Sequence, residues 1–322
     1  MALVSAFFDL PRLLRLRAAL TDLDPSAPPR GRSIAGPGDP RLRRLAVFPG
    51  SFNPLTNAHA ALADLALSSG RVDALVYLLA SRTVDKERVE GASLADRLLC
   101  LVEFLHGRPR EGVLLVNRGL YVDQADLMRR LMPSVDDLWF VVGYDKIVQI
   151  FDHRYYEDRD AALDRLFTLA SFLVSPRAPH RPEDLDTFLT RSANRRYADR
   201  VLPLALPTEF QRLSSTRVRA AAALTGPSTQ DVPAIVGRFI QETGAYAGPT
   251  RDLAGEDVDG YAIRERLIDA AERGGLPALS AAAFRAAIDR LIQPDDDGRR
   301  RRAALRRGDV LVATEERLEQ TP

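Results

Sequence analysis

Two stretches of this chain place phosphate-binding chemistry where a helix begins. In the first, Phe48-Pro49-Gly50-Ser51-Phe52-Asn53-Pro54-Leu55-Thr56-Asn57-Ala58-His59, a short apolar run ends in a tight loop and an alanine-rich helical stretch, Ala60 to Leu67, follows at once. Gly50 permits close approach of the backbone to a ligand, and free amides at a helix N-terminus suit phosphate oxygens. His59 falls in the first turn, where an imidazole can hydrogen-bond a phosphate oxygen and stabilise charge developing in a transition state. The second stretch, Arg212-Leu213-Ser214-Ser215-Thr216-Arg217-Val218-Arg219, opens another alanine-rich helix. Ser214 suits the N-cap, Ser215 and Thr216 offer hydroxyls and amides, and Arg219 lies over the same face, which makes an anion clamp for a polyphosphate. A third feature is Val141-Val142-Gly143-Tyr144-Asp145-Lys146, where Gly143 allows close approach and Asp145 can accept from ribose hydroxyls.

These groups need a scaffold, and the apolar pattern supplies one. Leu45–Phe48, Ala74–Ala80, Val113–Val116, Leu138–Val142, Phe172–Val174 and Val201–Leu206 are apolar on nearly every residue, as strands buried on both faces are. Segments of about 10 to 20 residues separate them, enough for crossover helices. The architecture expected is α/β: a doubly wound, mainly parallel sheet with all three features at carboxyl ends of strands, where open α/β sheets bind ligands. Residues 3–20 read as a short helix interrupted or restarted at Pro11, and Asp24 to Pro40 as a flexible connector. Beyond Gly248 helical periodicity runs from Tyr261 to Arg273 and again from Ser280, with strand alternation only at Val310 to Val312. The expected division is an N-terminal helix and linker over 1–41, a main domain over 42–248 and a helical appendage over 249–322, with no internal repeat.

Composition narrows the function classes. The 322 residues carry 45 basic and 44 acidic side chains, 46% hydrophobic and 28% charged, so no whole-surface field draws nucleic acid or an anionic membrane. One cysteine, Cys100, removes disulfide frameworks and cysteine zinc sites. No stretch reaches the roughly 20 apolar residues of a membrane helix, and Met1 to Phe8 lacks a signal-peptide pattern, so a cytoplasmic location is expected. His106, His153 and His180 show no metal spacing, and the run Asp295 to Arg302 reads as a solvated helix start, because its acids offset its arginines. Every basic residue except Lys86 and Lys146 is arginine, a bias that draws notice to those two positions.

The pairing of Gly50 to His59 with Leu213 to Arg219 resembles the nucleotidyltransferase superfamily, with its (H/T)-x-G-H and I-S-S-T-x-x-R signatures. More narrowly, G-S-F-N-P followed by T-N-x-H resembles the eukaryotic-type nicotinamide mononucleotide adenylyltransferases. Asp231-Val232-Pro233 through Gly244-Ala245-Tyr246 is similar to that family's closing helix and aromatic end, so the likeness runs from Leu45 to Tyr246. Ala58, Thr56 and Leu213 depart mildly from the pattern. A P-P-H-K segment is absent, and Thr83-Val84-Asp85-Lys86 stands in its place. The family's tryptophan beyond the Gly143 motif is missing, with Tyr155 and Tyr156 at about the matching distance.

The resemblance implies a Rossmann-like nucleotidyltransferase fold and attack by a phosphate monoester on the α-phosphorus of ATP, with release of pyrophosphate. By resemblance, His59 contacts the α-phosphate with Thr56 in support, and Ser215, Thr216 and Arg219 hold the β- and γ-phosphates. Gly50, Ser51, Phe52, Asn53, Gly143, Asp145 and Ser214 line the ATP site. Lys86, Tyr121, Tyr155 and Tyr156 are candidates for the second substrate, a tyrosine being able to stack on a pyridine ring. Mg²⁺ is expected to bridge the phosphates of ATP, with few protein ligands needed. The expected partners are small-molecule nucleotides, with no nucleic acid or membrane and with a homo-oligomer open. Nicotinamide mononucleotide is the acceptor implied first. Nicotinate mononucleotide, phosphopantetheine, a CTP-dependent acceptor and a catalytically silent nucleotide sensor remain alternatives.

Overall fold

The computed structural model describes residues 5–37, 41–81, 91–225, 230–276, 279–293 and 295–307. Seven strands form one sheet: β1 (Gly31–Ala35), β2 (Arg44–Pro49), β3 (Ala74–Ala80), β4 (Glu111–Val116), β5 (Asp137–Gly143), β6 (Ser171–Ser175) and β7 (Val201–Pro203). Their order is β1-β4-β3-β2-β5-β6-β7, and every pair is parallel except β1 with β4. Without the antiparallel edge this is the doubly wound order, whose direction reverses between β2 and β5. Each of the six apolar runs read from the sequence contains a strand, the last only over Val201–Pro203 of the expected Val201–Leu206.

Strand side chains alternate between two helical layers, as a period of two requires. Ala46, Phe48, Leu75, Tyr77, Val113 and Leu115 face a layer built from α1 (Leu10–Thr21), α2 (Asn57–Ser68) and α3 (Leu94–Phe104). Leu45, Val47, Val76, Leu114, Phe140 and Phe172 face α4 (Tyr121–Leu131), α5 (Tyr144–Ile150), α6 (Arg159–Leu169) and α7 (Pro182–Leu189). The first layer is extended by α8 (Ser215–Thr225), α9 (Ala234–Thr243), α10 (Gly260–Glu272), α11 (Ala281–Ile292) and α12 (Asp296–Arg307), with a small hairpin of β8 (Thr250–Arg251) and β9 (Asp257–Val258) before α10. No helix among the described residues is long and apolar enough to cross a membrane.

Three readings from the sequence change. The connector Asp24 to Pro40 contains β1, which pairs with β4 from Gly31 opposite Val116 to Ala35 opposite Val113. An edge strand has one neighbour and needs little apolar surface, so Arg32 and Ser33 stay exposed and the hydrophobic pattern carries no trace of it. Buried Asn117 ties the same segment down, its Oδ1 accepting from the Arg30 amide at 2.8 Å and its Nδ2 donating to the Asp24 carbonyl at 2.8 Å. The segment beyond Gly248, expected to show strand alternation only at Val310 to Val312, holds the β8–β9 hairpin, whereas Pro11 stands where the sequence allowed a restart, in the first turn of α1 behind the Asp9 cap and after a short 3-10 turn at Ala6–Phe8. Within the run Asp295 to Arg302, Arg302 is buried and pairs with buried Asp252. The alternation at Val310 to Val312 lies outside the described residues.

Segments near both ends of the described residues join the first-layer core. Phe7 is fully buried, with its ring 5.2 Å from Phe239, and Phe8 lies 6.4 Å from Phe284. Arg17 of α1 reaches three acids of α10, Glu265 at 2.9 Å, Glu272 at 3.0 Å and Asp269. Phe7→Ala is expected to destabilise the protein by about 3–5 kcal/mol in urea denaturation. A change below about 1 kcal/mol would show that the N-terminal segment contributes nothing to this core.

Candidate active site at the sheet switch point

The loop from Gly50 to Thr56 leaves β2 beside the reversal in strand order and enters α2. Phe52 holds φ at +43°, a left-handed setting that a bulky side chain rarely adopts. Packing over-determines it: the ring is buried against Phe48 at 5.5 Å, Tyr77 at 5.4 Å and His59 at 5.3 Å. Folding back in this way, the ring covers Gly50, where a Cβ would stand 2.6 Å from Phe52 Cζ. The loop's own packing therefore leaves no room for a Cβ at Gly50, a constraint beside the ligand approach expected of it. At Gly143 a Cβ would meet nothing within 4 Å, and that glycine caps α5.

His59 is the third residue of α2. Its Nδ1 lies 3.0 Å from the Thr56 amide and 2.7 Å from Thr56 Oγ1, and Thr56 itself is fully buried. A backbone N–H can only donate, so Nδ1 accepts and the proton of the neutral ring is on Nε2. Although part of its surface stays accessible, burial lowers the imidazole pKa to about 4, with the charge of Arg177 adding to the effect. At neutral pH His59 is thus an uncharged donor with a fixed tautomer.

The second motif meets the first directly. Ser214 caps α8, its Oγ accepting from the Arg217 amide at 3.3 Å. Ser215 Oγ donates to the Pro54 carbonyl at 2.8 Å, and Arg219 Nη1 donates to the Asn53 carbonyl at 2.6 Å. Arg219 Nη2 also lies 3.4 Å from Thr216 Oγ1, so hydroxyl and guanidinium share one face at the exposed start of α8. Buried Asn53 accepts through Oδ1 from the Tyr246 hydroxyl at 2.8 Å and the Ala92 amide at 3.2 Å. Ser51 presents its carbonyl to Arg97 Nη1 at 2.9 Å.

Two of these arginines escaped the sequence analysis. Arg97, on α3, is buried, and burial lowers its pKa, with Arg219 among the smaller contributors. Arg177 follows β6 at the carboxyl edge of the sheet, with its Nη1 3.5 Å from the Leu213 carbonyl. An arginine just beyond an apolar strand was the available signal for Arg177, obscured by so many other arginines. Arg97 carried no local signal, since its partner is 46 residues away.

The remaining candidates spread outward from this centre. Asp145, the second residue of α5, follows β5, the strand next to β2, and is exposed, with Oδ1 3.2 Å from His180 Nε2. The His180 ring stacks on Tyr144 at 4.4 Å between centroids. Lys146 Nζ donates to Gln149 Oε1 at 2.5 Å, and Gln149 Nε2 donates to the Tyr155 hydroxyl at 2.8 Å. Tyr156 donates to the Ile150 carbonyl at 2.8 Å. Tyr121 packs edge-on to Phe140 at 5.3 Å, and burial raises its hydroxyl pKa, with Tyr156 a smaller cause. Lys86 lies outside the described residues. Among the described residues no group of three or more His, Cys, Asp or Glu could hold a metal ion.

A cytidylyltransferase-like family model matches residues 47–221, more than half of the chain and a span that includes both motifs. A probable nicotinate-nucleotide adenylyltransferase of Synechococcus sp. (strain JA-3-3Ab) is 28% identical over 217 residues, covering 66% of this chain and 99% of that protein. Another, from Brucella suis biovar 1 (strain 1330), is 29% identical over 202 residues, covering 57% of this chain and 98% of its own. Among solved structures, Plasmodium falciparum nicotinic acid mononucleotide adenylyltransferase complexed with NaAD aligns with a TM-score of 0.48 at 14% identity, over 63% of this chain and 97% of that one. With the two motifs joined at the switch point and the family model spanning both, this chain belongs to the cytidylyltransferase-like family of the nucleotidyltransferase superfamily and is a nucleotidyltransferase.

Proposed function

We propose that the chain transfers the adenylyl group of ATP to a pyridine mononucleotide, forming a dinucleotide and pyrophosphate, with nicotinate mononucleotide as the acceptor. The observation that carries this reading is the neutral, tautomer-fixed His59 beside Arg177 and the Arg219 motif, a set that suits charge building on a phosphoryl group. The curated relatives named above are both nicotinate-nucleotide adenylyltransferases, which supports the choice of acceptor. Nicotinamide mononucleotide, implied by the G-S-F-N-P and T-N-x-H pattern, is the second reading.

The reaction asks for no general base. A phosphate monoester has its second pKa near 6, so it is mostly dianionic at neutral pH and is itself the nucleophile. One of its oxygens bonds to the α-phosphorus as the bond to the bridging oxygen breaks, and pyrophosphate leaves with that oxygen. In this reading His59 Nε2–H donates to an α-phosphate oxygen, and the Thr56 amide holds the ring through Nδ1. Thr216 and Arg219 receive the β- and γ-phosphates at the N-terminus of α8, with Ser214 and Ser215 bracing that turn. Gly50, Ser51, Phe52 and Asn53 shape the pocket floor, and Gly143 and Asp145 take the ribose side. Lys86, Tyr121, Tyr155 and Tyr156 are proposed for the acceptor side. Mg²⁺ enters as the ATP complex, ligated by phosphates.

Pyrophosphate release, measured with ATP or CTP against nicotinate mononucleotide, nicotinamide mononucleotide and phosphopantetheine, tests the reading. The expected result is turnover with ATP and nicotinate mononucleotide above all other pairs, whereas nucleotide binding without release for any acceptor would make the chain a sensor. His59→Ala is expected to lower kcat by about 10²–10³-fold, the effect of removing one transition-state donor. Near wild-type turnover would remove the residue from the mechanism. Arg219→Ala should raise KM for ATP by about tenfold to a hundredfold, the range for a charged hydrogen bond, and an unchanged KM would take Arg219 out of the site.

The low imidazole pKa also has a stability signature. In the unfolded chain a histidine titrates near pH 6.5, whereas folded His59 takes its proton only near pH 4. Between these values the unfolded state binds more protons, so stability falls as pH drops from about 6.5 to about 4, by at most about 1.4 kcal/mol per pH unit. The difference in urea midpoint between wild type and His59→Asn should shrink across this window as pH falls. A difference independent of pH would contradict the buried neutral ring.

A further inference from the structure

We propose that Tyr261 and Arg264, on α10 in the C-terminal segment, are positioning residues for the nucleotide site, acting through the first turn of α3 on the loop at Ser51 and Asn53. The inference rests on the adenylyltransferase reading for its kinetic readout, while the geometry behind it is independent of which acceptor is used.

A single stretch, Ala92 to Arg97, touches both partners. Toward the loop, the Ala92 amide donates to Asn53 Oδ1 at 3.2 Å and Arg97 Nη1 donates to the Ser51 carbonyl at 2.9 Å. Toward α10, the Ser93 amide donates to the Tyr261 hydroxyl at 2.7 Å, and that hydroxyl donates to Asp96 Oδ2 at 2.6 Å. Arg264 grips the same carboxylate with both terminal nitrogens, Nη1 to Oδ2 and Nη2 to Oδ1, each at 2.8 Å. Its Nη2 also donates to the Phe7 carbonyl at 2.8 Å, so the N-terminal segment enters the same knot. Asp96 and Arg264 are both fully buried. Gly91, with φ at +105°, lets this turn lie against the loop, since a Cβ there would stand 2.7 Å from the Tyr246 ring and 2.9 Å from Asn53 Oδ1.

Stability alone does not call for such a pair. Burying two charges removes about as much hydration energy as the pairing returns, and apolar residues of similar volume commonly serve as well. What a bidentate guanidinium and a doubly bonded hydroxyl add is direction: a planar fork fits one setting of the carboxylate. Rotating or sliding α3 would break Asp96 from its partners and carry Arg97 away from Ser51 in the same movement. Helix α10 thereby sets where the Ser51 carbonyl and the Asn53 side chain stand.

The test uses the full-length protein with Tyr261→Phe, which keeps the ring and the Asp96–Arg264 pair and removes the bridging hydroxyl. At a temperature where circular dichroism shows wild type and variant equally folded, KM for ATP is expected to rise about three- to tenfold, the worth of one hydrogen bond in orientation. The rise should exceed any change in kcat. In an Arg97→Lys background, which keeps the charge and loses the fork, Tyr261→Phe should add less than its effect in the wild-type chain, because both changes act through one turn. Arg264→Lys gives a second route to the same coupling. A lowered melting temperature with unchanged KM and kcat would overturn the inference, as would effects of Tyr261→Phe and Arg97→Lys that multiply independently. Should the wild type release no pyrophosphate with any acceptor, the adenylyltransferase reading fails by itself. The positioning inference is then decided by the same cycle on the calorimetric Kd for ATP, and it falls if wild type and Tyr261→Phe bind alike.

Discussion

The loop between β2 and α2 cannot satisfy its own backbone, and much of the molecule is arranged around that constraint. Buried carbonyls without partners are expensive, so each must find a donor somewhere. Ser51 finds Arg97 on α3, Asn53 finds Arg219 on α8, and Pro54 finds Ser215 at the start of the same helix. On the donor side, Gly50 gives its amide to Leu78 of β3 at 3.1 Å, and Asn57 gives its own to Asp231 at 2.9 Å. The loop is therefore defined by pieces of chain drawn from across more than 170 residues. Bringing the two phosphate motifs together and completing the loop are one structural act.

This dependence explains what could be read from the residues alone. The six buried strands announce themselves because each is apolar on both faces, and the switch point follows once they are ordered. His59, Ser214 and Arg219 were legible because helix starts and cap residues are local, with their chemistry within four residues of their geometry. Arg97, Arg177 and the Asp96–Arg264 pair were not, because a buried arginine is identified by what surrounds it and those surroundings arrive from elsewhere in the chain. β1 was invisible for a different reason. Its backbone is bonded on one side only and Ile34 is its one large apolar side chain against the core, so no apolar period marks it. For Gly50 the sequence offered ligand approach as a reason and could not offer the second one, that Phe52 folds back over it.

The chain ends carry the same principle further. Phe7, Phe239 and Tyr261 form one aromatic contact series, with Phe239 lying 6.4 Å from Tyr261. Arg17 adds an ionic seam from α1 to α10. Segments that read as additions to a catalytic domain thus share its apolar layer and reach the helix nearest the loop. Exposed ion pairs such as Arg251–Asp257 contribute little to such an arrangement, whereas the fully desolvated pair at Asp96 fixes geometry.

Charge and direction are divided between residue types in the proposed reaction. Arg219, proposed for the β- and γ-phosphates, attracts the polyphosphate on binding and again as charge grows on the leaving pyrophosphate, so it serves both steps without fixing a direction. A neutral imidazole behaves differently. Held through Nδ1 by an amide that can only donate, it presents one N–H in one direction, and its hydrogen bond strengthens as negative charge accumulates on the oxygen it meets. The positive charge of Arg177 contributes to keeping that ring neutral. In the proposed reaction the two tasks therefore fall to different groups: burial first and the charge of Arg177 second keep the imidazole neutral, while Arg219 is the arginine assigned to the phosphates.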